Sequence, residues 1–329
     1  MIARRRTPFV IVRYAGTVLA VGAFTFGCAT TMDRSELATE YYNLGTAFFD
    51  LGDLTRSADY LYRALELDES LARASYNLAR VYALQGRFDE AEELLQALKA
   101  LEPENTTVLE TLGYVAYSRG DLDAAAAAYD DVLQIDPGSV NAFYNRAIIA
   151  DESDELEQAA ELLRSARAID EGDSGVLGLL ASVEERLGNP EGAISALEDL
   201  KAVGSTNSDA LLRLAGLYED AERYDRALEE LEGVIAAGES LEFQAEALFR
   251  KGRILLTAAQ EPETGLEALR SAFASGFADT ERIEQLRNDP ALVPYAELGD
   301  LLAEYGILPD ALSSEKTNNK VGPPDGTSE

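Results

Sequence analysis

Apolar residues recur along most of this chain at intervals of three and four, the spacing of amphipathic helices rather than strands. In the first such stretch Tyr41, Leu44, Gly45 and Phe48 share one helix face. Gly52-Asp53 interrupts it, and Leu54, Ser57, Leu61, Ala64 and Leu67 form the stripe of a second helix. The same two-helix pattern returns every 34 residues up to about Ala237. Gly52, Gly86, Gly120 and Gly188 mark the turn, with Asp154 and Glu222 on the rungs where glycine is missing. A second ladder reads Ser57, Ala91, Ala125, Ala159, Ala193 and Ala227, and a third Leu44, Leu78, Leu112, Leu180 and Leu214, interrupted by Arg146. Such periodicity predicts stacked helix pairs, with small residues where neighbouring helices approach closely. Asp154, Arg146 and Glu222 predict the places where the array loosens.

These residues resemble tetratricopeptide repeats (TPRs), whose pattern runs Trp-x2-Leu-Gly-x2-Tyr, then Ala, Phe, Ala and Pro. The second unit answers it with Tyr76-Asn77-Leu78-Ala79, Tyr82, Gly86, Phe88, Ala91, Leu95 and Pro103. The third answers with Leu109, Leu112-Gly113, Gly120, Leu122, Ala125, Tyr129, Val132, Ile135 and Asp136-Pro137. Later units depart from it: Glu184 takes the Tyr position of the fifth, and Pro190 opens that unit's second helix, where proline is tolerated. The resemblance implies an all-α, right-handed superhelical α-solenoid of helix-turn-helix repeats. Six repeats are expected over 37–241 (about 38–71, 72–105, 106–139, 140–173, 174–207 and 208–241). A degenerate seventh pair follows over 242–275, then a capping segment over 276–308 that includes a helix from about Ala296 to Tyr305. The Ser-, Asn-, Gly- and Pro-rich residues 309–329 lack the pattern and are expected to be disordered.

The first residues differ in kind. Arg4, Arg5, Arg6 and Arg13 precede an uncharged run from Tyr14 to Thr31, which has the basic and apolar regions of a secretory signal. Near its end stands Cys28, the only cysteine, preceded by Gly27. This resembles the lipobox of bacterial lipoproteins, although Thr25 and Phe26 stand where that box prefers Leu and a small residue. The resemblance implies a signal peptide over 1–27, a palmitate-type lipid on Cys28 and a tether over 28–36. The alternative is an uncleaved single-pass anchor. Either places the rest of the chain outside the cytoplasm, in the bacterial cell envelope, with the outer membrane or periplasmic face favoured.

Composition narrows the chemistry. With 28 basic and 60 acidic residues the formal charge is −32; a surface of that sign repels nucleic acid. Loss of Arg4, Arg5, Arg6 and Arg13 with the signal leaves 24 basic residues and a charge of −36. There is no His, hence no imidazole base or ligand, and a lipidated Cys28 removes the one thiol. Pairs such as Glu92-Glu93 and Glu229-Glu230 are expected at solvent-facing helix positions. No phosphate-loop glycine pattern occurs. No catalytic residue, metal, cofactor or small-molecule substrate is expected.

Function is therefore expected in the groove that the first helices of stacked pairs line. In the resembled family the residues beside the core positions of those helices look into that groove. Here they are Tyr42, Asn43, Phe49, Tyr76, Asn77, Arg80, Tyr114, Tyr117, Tyr144 and Asn145. Aromatic rings at such places supply binding area at low entropic cost, and Asn can bond a peptide backbone. The alternative is that these residues only pack one repeat on the next. Gly178, Glu185, Glu219 and Asp220 on the same face predict a groove that turns acidic in the fifth and sixth units. The expected role is a membrane-anchored scaffold or adaptor that holds partner proteins or peptides during cell-envelope assembly. The alternative role is a non-catalytic recruiting or regulatory subunit of a cell-wall-processing enzyme complex.

Overall fold

A computed structural model describes residues 33–290, 292 and 296–306 of the 329. The signal-like segment 1–27, Cys28, Pro294-Tyr295 and the segment 309–329 lie outside the described residues. The described residues are all-helical, with no strand among them. They form two compact units, one ending at Ala74 and the other beginning at Ser75.

In the first unit α1 (Arg34–Asp50) and α2 (Leu54–Leu67) form a helical hairpin. Gly45 has no room for a Cβ, which would lie 2.6 Å from the Leu61 side chain. Ser57 sits on the alanine ladder, wholly buried, because its hydroxyl donates to the Gly45 carbonyl at 2.8 Å. A buried hydroxyl with a partner is far less costly than one without.

The second unit stacks further antiparallel pairs as an α-solenoid. The helix α3 (Ala72–Leu84) leads into α4 (Phe88–Leu101), followed by α5 (Thr106–Arg119) with α6 (Leu122–Ile135) and α7 (Val140–Glu152) with α8 (Leu156–Ile169). Then come α9 (Ser174–Arg186) with α10 (Pro190–Ala202), α11 (Ser208–Asp220) with α12 (Tyr224–Ala237), and α13 (Leu241–Thr257) with α14 (Pro262–Ala274). Two short helices, α15 (Thr280–Asn288) and α16 (Ala296–Glu304), end the described chain. Side-chain caps start many of the helices: Asn105, Asp121, Ser139, Asp173, Asn189, Asn207 and Ser240 each accept a first-turn backbone N–H. Ala91, Ala125, Ala159, Ala193 and Ala227 are all fully buried, as close helix packing requires.

The turns are more uniform than the sequence. Gly86, Gly120 and Gly188 adopt the left-handed conformation, and so do Asp154 (φ 60°) and Glu222 (φ 56°). Each turn closes with the same two bonds, for example Gly188 N–H to Glu185 O at 3.0 Å and Asn189 N–H to Glu184 O at 2.9 Å. Glu222 and Arg223 donate likewise to Glu219 and Tyr218, at 2.9 and 2.8 Å. The array does not loosen where glycine is missing; the backbone holds the turn and accepts the strain of a left-handed L-residue. Nor does it loosen at Arg146, whose guanidinium bonds Asp130 at 3.2 Å and Gln158 at 3.4 Å. The register slip after Ala237 has a simple cause. The helix α13 has 17 residues against 13 for α11, so its left-handed residue is Gln260 (φ 57°), about one helical turn beyond the expected rung.

Three apolar clusters run through this unit in succession. One is centred on Leu95, Leu109 and Val132, the next on Leu163, Leu180, Leu197 and Leu214. The last joins Phe249, Leu269 and Phe273 to Ile283, Leu286, Leu298 and Leu302 of α15 and α16. The last two helices thus cover the apolar side of the α13–α14 pair.

Candidate functional site

Three first helices of the second unit, α3, α5 and α7, bound a pocket of about 320 Å3. Its lining is Arg80, Ala83 and Leu84 from α3, Glu110, Thr111 and Tyr114 from α5, Tyr129 from α6 and Asn145 from α7. Residues 80 and 84, and 110 and 114, are one helical turn apart, so each helix presents a matched pair to the cavity. The floor is the Tyr129 ring. It can lie there because α5 has glycine at 113: a Cβ on Gly113 would stand 2.8 Å from the Tyr129 ring carbons. Burial, followed by the negative charge of Glu110, pushes the Tyr129 phenol up to about 12. The hydroxyl is therefore a neutral donor and acceptor at physiological pH.

Around this floor the polar groups are arranged by neighbouring bonds. The Tyr76 hydroxyl lies 3.2 Å from Thr111 Oγ1, tying α3 to α5. Glu110 Oε1 accepts from the Ser139 hydroxyl at 3.4 Å. Asn145 Nδ2 donates back to the Asn141 carbonyl at 2.9 Å, which orients Oδ1 as an acceptor. Tyr114 is nearly half exposed and Arg80 is exposed, so a ring and a guanidinium stand at the rim. The pocket can take one apolar side chain while its rim bonds the neighbouring backbone of the same ligand.

The sequence candidates divide by location. Arg80, Tyr114 and Asn145 line the pocket, and Tyr76 braces its wall through Thr111. Tyr117 donates to Glu152 of α7 and is thereby held up in pKa. Tyr144 packs instead toward α9, its ring 3.7 Å from where a Gly175 Cβ would be, and Asn77 is half-buried on α3. In the first unit Asn43 is exposed, Phe49 half-buried, and the Arg73 guanidinium lies 4.6 Å above the Tyr42 ring. Tyr129, Thr111 and Leu84 were not among the candidates, whereas Glu110 holds the groove-facing position that Tyr42, Tyr76 and Tyr144 hold in the neighbouring units. The only sequence signal for Tyr129 is a hydroxyl at a rung where the repeat usually has Phe.

Farther along the same face, the expected acidic character is largely neutralised. Glu185 pairs with Arg213 at 3.1 Å, Glu219 with Arg250 at 2.7 Å and also with Arg253, and Glu246 with Arg282 at 2.7 Å. Each bond joins one first helix to the next, so the acids serve as cross-links between pairs. A second hollow, of about 590 Å3, lies where α11, α13 and the turn before α15 meet; Leu212, Glu242, Phe243 and Phe277 line part of it. Two further acids are not at solvent-facing positions. Glu230 is buried and accepts from Lys201 Nζ at 2.8 Å with both oxygens. Glu184, also buried, accepts from Arg164 at 2.6 Å and from Asn189 at 2.8 Å. Burial of these carboxylates is possible because each is paired. Among the described residues no group of acidic, His or Cys side chains could hold a metal ion, and no helix is long and apolar enough to cross a membrane.

Comparison with known proteins places this geometry. Models of the tetratricopeptide repeat match residues 48–112, 116–183 and 179–242, more than half of the chain. An uncharacterized lipoprotein of Treponema pallidum (strain Nichols) is 33% identical over 85 residues, 26% of this chain and 43% of that protein. The photosystem I assembly protein Ycf3 of Acaryochloris marina (strain MBIC 11017) is 33% identical over 79 residues, 24% of this chain and 48% of that protein. The chain thus spans less than half the length of each of these curated relatives. Two solved structures share the fold. One is pilF of Pseudomonas aeruginosa, 22% identical, covering 64% of this chain and 96% of its own, with a TM-score of 0.52. The other is a tetratricopeptide repeat protein of Parabacteroides merdae ATCC 43184, 21% identical, covering 76% and 97%, with a TM-score of 0.50. From the repeat ladders, the uniform turns and these matches, the chain belongs to the tetratricopeptide repeat family, whose repeats serve as protein-protein interaction scaffolds.

Proposed function

We propose that this protein is a lipid-anchored scaffold of the bacterial cell envelope, which holds a partner protein or peptide against the face formed by α3, α5 and α7. The pocket over Tyr129 carries the reading. An apolar floor, an exposed ring at Tyr114, donors at Arg80 and acceptors at Glu110 and Asn145 meet within one cavity. That combination suits one buried anchor side chain with its flanking backbone, the usual anatomy of a binding hot spot. The polar fit favours a partner segment that offers both a carbonyl or carboxylate to Arg80 and an N–H to Glu110 or Asn145. Within the same unit Tyr76, Asn77 and Tyr117 would extend contact beyond the pocket, and Tyr144 would act through packing. The lipid-anchor part rests on the basic and apolar leader ending at Cys28, with the lipoprotein relative in support.

The test is photocrosslinking in cells from a probe at Tyr114, compared with the same probe after Tyr129→Ala and Arg80→Ala. One partner band that weakens at least tenfold, the size expected for loss of a hot spot of about 1.4 kcal/mol or more, supports the site. An unchanged band refutes it. Lipidation is tested separately: labelled fatty acid should enter the wild type and not Cys28→Ala, and equal labelling refutes the anchor.

A further inference from the structure

The leucine ladder is covered at every later rung and uncovered at the first. Leu78, Leu112, Leu180 and Leu214 are 1–7% exposed, whereas Leu44 is 44% exposed. In the second unit Leu112, Leu180 and Leu214 share cores with Leu95, Leu163 and Leu197, each on the helix just before. Among the described residues α1 has no helix before it. Its open stripe is Leu37, Tyr41, Leu44, Phe48 and Leu51, and Leu51 is 76% exposed. Tyr60 of α2 completes the patch, stacked 5.2 Å from Phe48 and 6.0 Å from Tyr41.

Charge is divided across this patch. On the α2 side, Arg56 lies 4.3 Å above the Phe48 ring and Arg63 lies 5.9 Å from the Tyr60 ring. Arg56 also bonds Asp53 at 2.6 Å. On the opposite edge stand Glu36 and Glu40, each exposed and one residue before a stripe position. We infer that this face is a homodimer interface, in which two copies pair their first hairpins with α1 parallel to α1. A two-fold axis along the stripe lays the acidic edge of one copy over the arginine edge of the other. An axis across the stripe would set acid on acid. The parallel arrangement also leaves both α1 N-termini at one end, which suits two copies on one membrane, a point that rests on the lipid anchor proposed above.

Area is consistent with a modest affinity. The 17 residues of α1 make a face about 25 Å long and, with α2, about 20 Å wide, so about 500 Å2 per copy. The total of about 1,000 Å2 lies at the floor for specific association, and confinement to a membrane would raise the effective concentration.

The experiment uses the full chain in detergent, with wild type as the control for Cys28. Leu51→Cys, placed near the axis, should give an oxidised homodimer on a non-reducing gel, absent from wild type. Light scattering should show dimers at micromolar concentration. Leu44→Glu should weaken dimerisation at least tenfold while leaving the melting temperature within about 2 °C, since Leu44 is exposed in the single copy. Arg63→Glu should weaken it, and Glu40→Arg added to Arg63→Glu should restore it. A monomer with no Leu51→Cys product overturns the inference. So does crosslinking of Leu51→Cys to residues 1–32 of its own chain, which would assign the face to that segment. Crosslinking only between Leu37→Cys and Leu51→Cys chains overturns the parallel arrangement.

Discussion

Glu222 is the sharpest test of why the repeat has a glycine at its turn. It holds φ 56° where Gly52, Gly86, Gly120 and Gly188 hold 68–86°, and its N–H closes the turn to Glu219 at 2.9 Å. An L-residue there costs about 1–2 kcal/mol relative to its right-handed form, whereas glycine costs about 0.5–1 kcal/mol in extra chain entropy. Glu222→Gly should therefore stabilise the protein by about 0.5–1 kcal/mol. The Glu222 side chain is exposed, so removing it sacrifices little packing. Asp154→Gly should gain less, because Asp154 accepts a 3.0 Å bond from Arg186. In the opposite direction, a Cβ at Gly188 would meet nothing within 4 Å. Gly188→Ala should then cost about 1 kcal/mol from backbone strain alone. Urea unfolding followed by circular dichroism at 222 nm, with thermal melts, gives the readout. The melting point should rise by about 2 °C per kcal/mol gained. A Glu222→Gly midpoint at or below wild type, with Gly188→Ala unchanged, would refute the claim that all six turns need the same left-handed residue.

Three other outcomes follow from particular contacts. Gly113→Ala should destabilise by about 1–2 kcal/mol, because its Cβ would stand 2.8 Å from the buried Tyr129 ring; partner crosslinking at Tyr114 should fall with it, and retention of both would mean that the ring moves freely. Tyr129 has a folded pKa raised to about 12 against an ordinary value near 10. Its contribution to stability is complete below about pH 10 and is lost as pH rises toward 12. Tyr129→Phe should remove one late-titrating tyrosinate from the absorbance at 295 nm and flatten that alkaline loss, though Tyr218, also raised to about 12, will leave part of it. Lys201→Met strands the buried Glu230 carboxylate. The cost should be about 2 kcal/mol by urea titration, below the 3–5 of a fully buried pair because Lys201 is itself partly in water. Glu230→Gln should cost less, and the reverse order would show that the pair contributes nothing specific.

Much of the fold was legible in one sequence because its physical causes are local and repeated. Helical spacing, a small residue where two helices touch and a turn residue at a constant interval recur often enough to define the α-solenoid. Where a rung was missing, the sequence misled: Asp154 and Glu222 suggested loosening, yet turn hydrogen bonds shared by all units outweigh one residue's conformational preference. The groove was legible only as a list of positions. Which of them converge depended on Gly113, which lets Tyr129 reach the pocket floor, and on the packing of the Tyr144 ring toward α9 instead.

Charge shows the same division. The sequence by itself determined the helix pairs, their period and a strongly acidic surface, since these depend on neighbours along the chain. Only the tertiary structure decided that Glu184 and Glu230 are buried and that Glu185, Glu219 and Glu246 join the first helix of one pair to the helix that opens the next. Their partners Arg164, Lys201, Arg213, Arg250 and Arg282 stand 20 to 36 residues away. The energy of a carboxylate depends on which charge lies within a few ångströms, a distance that only the stacking of one pair on the next can set.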